Sequence, residues 1–367
     1  MSQPAKFSII GGGGYRAQYF LRIAQALPER FQISGLVVRD EAKGQAMEAQ
    51  WQTATYRTLD QLLAQEKPDF IVLSVNPSAA TPYMLELAER GIPVLAETPP
   101  APDLAGLHLL HEKLTRQGAK IQIAEQYQFH PIQIAREQWI KSGQLGRVTE
   151  TTVSISQTYH AVSLIRKMLG IGFDDATIRG MRFESEWVAG PNRSGIPTED
   201  RLIPLQRDLA WLDFGGKLGI YDFTKDQHRS WTRSNHLSVR GERGEIFDNR
   251  LIGQRPDCSP VHMELKRINK GEYENQEGYF LKGIVAGDRW LYENPYTPGR
   301  LYDDEIAIAA CLDKMAAYAA GGPSFYGLPD ASQDHYIGML IEQAIKTGET
   351  VRSEPQPWAG EVSALQL

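Results

Sequence analysis

The stretch Phe7-Ser8-Ile9-Ile10-Gly11-Gly12-Gly13-Gly14-Tyr15-Arg16 decides the reading of the chain. A short apolar run meets four consecutive glycines. From Tyr15 to Leu27, apolar residues fall at 19, 20, 23, 24 and 27, a helical spacing. A strand, a glycine turn and a helix in this order suit a pyrophosphate. The glycines let the backbone turn tightly and approach the anion, and the helix N-terminus faces it with unpaired N–H groups. Two registers fit. Gly11 to Arg16 reads G-x-G-x-x with Arg16 in the third glycine's place, and Gly12 to Ala17 reads G-x-G-x-x-A. Gly11, Gly12, Gly13, Gly14, Tyr15 and Arg16 are therefore candidate cofactor-binding residues. A tight turn that binds nothing is the plainer reading.

Outward from this turn, strands and helices alternate. Strands are expected at 31–38, 70–75, 93–96 and 120–124, and helices at 41–51, 59–64, 79–90 and 104–117. Such alternation implies parallel β-α-β units, a Rossmann-type sheet that binds ligands at its carboxyl ends. The end of the second strand selects the cofactor: an acid there bonds the ribose hydroxyls of NAD, and an arginine favours a 2′-phosphate. The chain reads Val37-Val38-Arg39-Asp40. Arg39 leans to NADP, and Asp40 serves NAD if the strand ends later. The cofactor is NAD or NADP.

Composition bounds the rest. At roughly 100–200 residues per domain, 367 residues suggest two domains or one large one. With 39 Lys plus Arg against 45 Asp plus Glu, the formal charge is −6. That balance, without a basic block, argues against nucleic acid as partner. A hydrophobic share of 42% argues against wholesale disorder. The two cysteines, Cys258 and Cys311, form no disulfide framework. No metal is expected, because no Cys/His cluster has zinc-site spacing. His108-Leu109-Leu110-His111-Glu112 puts its histidines three apart, which departs from the zincin spacing, and reads as a solvated helix face. The longest apolar runs fall far short of the ~20 residues that span a bilayer, and no signal-peptide core is seen. A cytoplasmic protein without membrane contact is expected.

Taken together, these landmarks resemble the Gfo/Idh/MocA family, the oxidoreductases of glucose–fructose oxidoreductase and inositol dehydrogenase type. The resemblance covers nearly the whole chain. It rests on Ile9 to Gly14, Ser74-Val75-Asn76-Pro77, Gly91 to Pro99, Gln126-Tyr127-Gln128-Phe129-His130-Pro131 and Gly143 to Val148. His160, opening a helix that ends Met168-Leu169-Gly170, and the run Leu237 to Glu245 complete it. The order and spacing of the pieces carry the assignment. It implies an α/β protein in two parts: a Rossmann NAD(P)-binding domain over 1–125, and an α+β domain over 126–367 with an open, mainly antiparallel sheet. The sequence agrees independently. Residues 132–141 are helical, 148–157 alternate like a half-buried strand, and 209–223 read as a hairpin around Gly215-Gly216. Residues 304–318 and 334–346 read as late helices. In relatives the exposed sheet face makes subunit contacts, so a homo-oligomer (dimer or tetramer) is implied.

The resemblance also implies site residues. Asn76 and Pro77, after the fourth strand, approach the cofactor. Glu97 lies on its ribose side, and Gln126 and Tyr127 contact nicotinamide and substrate. Family dehydrogenases carry Glu-Lys-Pro at the fifth strand's end, where the lysine helps to move the proton. Here the run is Glu97-Thr98-Pro99. A threonine holds a hydrogen bond but cannot act as a general acid or base near neutral pH. His160 is kept, but its usual acidic partner three residues on is Ser163, and Gln157, Thr158 and Tyr159 precede it. Lys167 lies two helical turns beyond, roughly 10 Å away.

Three readings follow. In the first, the chain is an NAD(P)-dependent oxidoreductase acting on a sugar, polyol or related hydroxy compound. His160 moves the proton, since histidine titrates near ~6.5, and Tyr159, Thr98 and Tyr127 assist through their hydroxyls. In the second, it resembles relatives with Glu-Val-Pro that cleave glycosides without net redox change. In the third, it is a nucleotide-binding regulatory protein without turnover. Residues 187–206, rich in Gly, Pro and polar side chains, read as a long loop bordering the substrate site. The aromatic, polar segment 221–236 reads as an oligomer surface. His130 reads as shaping the domain crossing.

Overall fold

Strand β1 (Ala5–Ile10) ends where the glycines begin, and α1 (Ala17–Ala26) follows them. The chain continues through β2 (Phe31–Val37), α2 (Glu41–Trp51), β3 (Thr55–Tyr56), α3 (Leu59–Gln65), β4 (Phe70–Leu73), α4 (Pro77–Glu89), β5 (Val94–Ala96), α5 (Leu104–Leu110) and β6 (Ile121–Ile123). The six strands form one parallel sheet in the order β3-β2-β1-β4-β5-β6. Strand β4 is buried at every position, as a strand covered on both faces must be. Phe7 stacks on Phe70 at 5.5 Å in the middle of this core. Short polar side chains set the helix starts: Asp40, Thr58 and Asp103 each accept a backbone N–H three residues on.

This computed structural model describes residues 3–192, 195–271, 278, 280–363 and 365. Beyond β6 come α6 (Pro131–Lys141), β7 (Val148–Ser154), α7 (Thr158–Leu169), β8 (Thr177–Val188), β9 (Leu202–Asp213), β10 (Leu218–Thr224), β11 (His236–Gly241), β12 (Gly244–Phe247) and β13 (Arg250–Gln254). Then follow β14 (Pro260–Lys270), β15 (Phe280–Ala286), β16 (Arg289–Glu293), α8 (Asp303–Ala319), α9 (Leu328–Thr347) and β17 (Val351–Arg352). These strands form a mostly antiparallel mixed sheet, ordered β16-β15-β14-β13-β12-β11-β7-β10-β9-β8-β17, in which β7 and β10 pair in parallel. The architecture is α/β: a Rossmann sheet, then an open antiparallel sheet. No helix among the described residues is long and apolar enough to cross a membrane.

The chain divides into two compact units. The first is Met1–Gln133, Arg267–Gly283 and Glu293–Ser332, and the second is Ile134–Lys266, Ile284–Tyr292 and Gln333–Leu367. A single break after residue 125 therefore leaves out two later segments that join the first unit. Side chains far apart in sequence hold the second of these segments there. Arg22 Nε on α1 donates to Glu305 Oε1 on α8 at 2.6 Å. The Gln122 carboxamide oxygen on β6 accepts the backbone N–H groups of Phe325 and Tyr326 at 2.9 and 2.8 Å.

In the second unit, α7 buries Ala161, Val162, Leu164, Ile165, Met168 and Leu169. Arg166, on the same helix, donates to Asp334 Oδ1 at 2.6 Å, with both side chains almost fully enclosed. The expected long loop over 187–206 is narrower: the connection runs over 189–201, and the two ends of the span belong to β8 and β9. β8 and β9 pair from Thr177↔Asp213 to Val188↔Leu202, so cross-strand pairing overrides the Gly/Pro-rich composition at both ends. Arg193 and Ser194 of that loop lie outside the described residues. The Gly215-Gly216 hairpin forms as read, both glycines taking positive φ. The segment 221–236 is not continuous strand: a short 3-10 turn, Gln227–Arg229, separates β10 from β11.

Candidate functional site

In the first unit, the glycine turn is clamped between two strand ends. Gly11 has φ +84°, and a Cβ there would fall 2.1 Å from the Ser74 carbonyl oxygen just past β4. Gly11 and Gly12 donate their N–H groups to Val37 O at 3.2 and 3.3 Å, and Gly14 N–H closes the turn on Gly11 O at 2.9 Å. The turn sits on β1, beside β4, where the strand order reverses, the place at which such sheets bind ligands. The four glycines put no side chain in the way of a pyrophosphate. At the far half of the same sheet edge, after β6, the buried Gln126 Oε1 has no hydrogen-bond partner. An orphaned buried acceptor is costly unless a ligand donor or water meets it. Both features fit a dinucleotide laid along the carboxyl ends of the strands. Tyr15 is exposed, its hydroxyl 3.3 Å from that of Tyr19.

Arg16 and Glu97, both placed near the cofactor by the sequence, bond to each other. Arg16 Nε and Nη2 donate to Glu97 Oε1 at 3.2 and 3.1 Å. Burial pulls the guanidinium pKa down, but the Glu97 carboxylate outweighs it, so Arg16 stays charged with its pKa above the usual arginine range. Glu97 is thus an ion-pair acceptor and does not cap a helix. Thr98 follows it half-buried. Asn76 is the residue before α4 and makes no capping side-chain bond; Pro77 opens the helix, two residues earlier than the periodicity suggested. Arg39 is exposed. Asp40 is exposed, and its Oδ1 accepts the Lys43 N–H at 2.7 Å as the cap of α2.

Gln126 and Tyr127 open a 3-10 turn, Gln126–Phe129, in which Glu125 Oε1 accepts Tyr127 N–H at 3.1 Å. The Tyr127 ring stacks on His130 at 5.2 Å, and His130 Nε2 lies 3.0 Å from Asp304 Oδ1. The sequence reading missed this contact of His130, because Asp304 is 174 positions away. In α5 and the π-turn His111–Thr115 after it, His108 and Glu112 are exposed but His111 is buried, since the wider turn brings His111 inward with Leu114. The solvated face expected for this motif holds for two of its three polar residues. Among the described residues no group of three His, Cys, Asp or Glu side chains is placed to hold a metal ion.

In the second unit, His160 is the third residue of α7 and is buried. The Tyr159 ring lies 4.3 Å from the His160 ring and 5.8 Å, edge-on, from His335 of α9. His335 was not singled out in the sequence, since no local motif links it to Tyr159. Ser163 Oγ donates to the His160 carbonyl at 2.8 Å, so this hydroxyl does not replace the missing acid. Lys167 Nζ pairs with Glu137 Oε2 at 3.2 Å, and Glu137 also receives Lys141. The charge on Lys167 is therefore held locally.

The first unit thus has the form of a nicotinamide-dinucleotide-binding Rossmann domain. Residues 5–125 match the model of the GFO_IDH_MocA oxidoreductase family, described as an NAD-binding Rossmann fold. Over these residues the chain is similar to the Gfo/Idh/MocA oxidoreductase family. Among curated proteins, an uncharacterized oxidoreductase of Schizosaccharomyces pombe is 24% identical over 149 residues, 40% of each chain. Among solved structures, an oxidoreductase from Agrobacterium radiobacter in complex with NAD+, L-tartaric acid and magnesium superimposes with TM-score 0.66 at 15% identity, covering 95% of this chain and 98% of that one. A myo-inositol dehydrogenase from Corynebacterium glutamicum gives 0.66 at 14%, covering 96% and 100%. A WlbA dehydrogenase from Chromobacterium violaceum, bound to NADH and UDP-GlcNAcA, gives 0.62 at 14%, covering 97% and 98%. These likenesses concern the fold.

Proposed function

We propose that the chain is a cytoplasmic, homo-oligomeric NAD(P)-dependent oxidoreductase acting on a CH–OH group of a sugar, polyol or related compound. The observation that carries this reading is the glycine turn, held so tightly at Gly11 that only glycine fits. Gly11 to Gly14 bring bare backbone to the pyrophosphate. Arg16, fixed by Glu97, keeps a permanent positive charge beside them. Asn76, Pro77 and Gln126 line the same sheet edge, and the Gln126 acceptor offers a bond to an amide donor. When bound, the nicotinamide supplies the hydride acceptor or donor.

The substrate hydroxyl must lose or gain a proton as the hydride moves. His160 is the proposed acid–base group, passing that proton through an imidazole nitrogen. Its neighbour Tyr159 orients the ring and offers a hydroxyl. Thr98 and Tyr127 hold substrate oxygens by hydrogen bonds and carry no proton away near neutral pH. Solved relatives that hold NADH with a UDP-sugar, or NAD+ with tartaric acid, support a hydroxylated substrate.

Thr98 favours a second reading. Without a cation at that position the fold also suits redox-neutral glycoside cleavage, or a nucleotide-binding regulator without turnover. Mass spectrometry of the nucleotide released from the purified chain tests the shared premise. NAD(P) is expected, and Gly13→Asp is expected to abolish its binding; retained affinity in that variant refutes the turn as the site.

A further inference from the structure

We infer that Tyr19 is a positioning residue for the dinucleotide: its ring holds the Arg16 guanidinium in place beside the glycine turn. This rests on the dinucleotide reading above. Arg16, Tyr19 and Arg22 follow one another at intervals of three, so each meets the next along α1. The Arg16 guanidinium carbon lies 4.9 Å from the centre of the Tyr19 ring, and that of Arg22 lies 4.7 Å from it. The face of an aromatic ring attracts a cation at such distances. Each arginine also has its own carboxylate, Glu97 for Arg16 and Glu305 for Arg22, so the two cations share the ring without unbalanced repulsion.

The two arginines are not held alike. Arg22 has two partners: Nε donates to Glu305 Oε1 at 2.6 Å, and Nη2 donates to the Tyr302 hydroxyl at 3.2 Å. Arg16 sets both Nε and Nη2 on a single oxygen, Glu97 Oε1, at 3.2 and 3.1 Å. A fork that grips two oxygens fixes the guanidinium plane, whereas a grip on one oxygen lets the plane pivot. Glu97 thus fixes where the group sits, and the Tyr19 ring fixes how it faces. The ring is itself walled in. Tyr302 meets it edge-on at 6.3 Å and Tyr15 at 5.8 Å, and the Tyr15 and Tyr19 hydroxyls lie 3.3 Å apart. Arg22 and Tyr302 seat Tyr19, and Tyr19 seats Arg16, two residues past the last glycine of the turn. A cation fixed in advance gives up less side-chain freedom when an anion arrives, so it binds the anion more tightly. Tyr19 acts through Arg16 and needs no contact of its own with the phosphates.

The test is a titration of the purified full chain with NADH and with NADPH, followed by nicotinamide fluorescence and read for the tighter of the two. Tyr19→Leu is expected to weaken binding about fivefold or more, the weight of one such cation–ring contact. Tyr19→Phe keeps the ring and should bind within about twofold of the wild type. On an Arg16→Ala background, Tyr19→Leu should add less than about twofold, because the residue it acts through is gone. Melting temperatures establish that each variant is folded at the temperature of the titration, and Tyr19→Met takes the place of Tyr19→Leu where that variant is not. Wild-type affinity in Tyr19→Leu overturns the inference. So does a Tyr19→Phe variant as weak as Tyr19→Leu, or the whole loss repeated on the Arg16→Ala background. A wild-type chain that binds neither dinucleotide refutes the dinucleotide reading itself, and the role of Tyr19 falls with it.

Discussion

Arg16 and Glu97 lie 81 positions apart, yet two guanidinium nitrogens of one reach the same carboxylate oxygen of the other at 3.1 and 3.2 Å. The pair links the N-terminus of α1 to the end of β5. Arg16→Ala leaves Glu97, whose side chain is only 12% exposed, without its counter-charge. Arg16 itself is 29% exposed, so the cost falls between surface and buried values, about 1–3 kcal/mol. Thermal unfolding of Arg16→Ala checks the size. Glu97→Gln should cost less, because the amide oxygen still accepts one bond. Equal losses would mean that charge contributes nothing.

Gly11→Ala should be more damaging. Its φ of +84° strains any L side chain, and the new methyl would meet the Ser74 carbonyl oxygen. Backbone strain alone costs about 1–2 kcal/mol, and displacement of Ser74 adds to it. Both the melting temperature and NADPH fluorescence should fall. Wild-type values for both would show that the turn adjusts freely.

Much of the first unit was legible in the chain. The run Phe70 to Leu73 and the glycines after Ile10 are local signals, and strand and helix follow from them within a few residues. The partners of the site residues were less so. Nothing near His130 announces Asp304, and nothing near Tyr159 announces His335, because those contacts arise only when distant helices pack. Asp40 shows the converse. Its position after β2 suggested a ribose ligand, but a short acid just ahead of a helix also serves as its cap, and Asp40 takes that role. The β8–β9 hairpin was hidden by Gly190, Pro191 and Pro197, whose turn-forming chemistry masks the long pairing on either side.

The two cysteines should differ sharply in reactivity. Cys258 is exposed and Cys311 is buried. Burial raises the Cys311 thiol pKa well above its ordinary value, with Glu125 and Glu97 adding to the rise, so the thiolate is disfavoured in the folded chain. A thiol reagent at pH 8 should modify one cysteine per native chain and two after denaturation. Two fast-reacting thiols in the native protein would place Cys311 wrongly.

The face of β8 and β9 leaves Met181, Phe183 and Trp211 exposed. Exposed apolar side chains on one sheet face, here interleaved with Arg179 and Arg207, are suited to a second copy of the chain. Phe183→Glu is expected to shift the mass seen by light scattering toward the monomer, with the melting temperature of the monomer unchanged within about 1 kcal/mol of stability, as for a surface site. A wild-type chain that is monomeric at micromolar concentration would contradict the homo-oligomer.

Nicotinamide absorbance tests the central claim most directly. The full chain is incubated with NADP+ or NAD+ and a panel of sugars and polyols, beside His160→Ala at matched cofactor occupancy. Net reduced cofactor is expected with at least one substrate, and His160→Ala should lower the rate by roughly 10²-fold or more, the usual share of a general acid–base group. A His160→Ala rate equal to wild type would remove His160 from the reaction. Product without reduced cofactor would favour the redox-neutral reading, and neither product nor reduced cofactor on a cofactor-loaded chain would contradict turnover altogether.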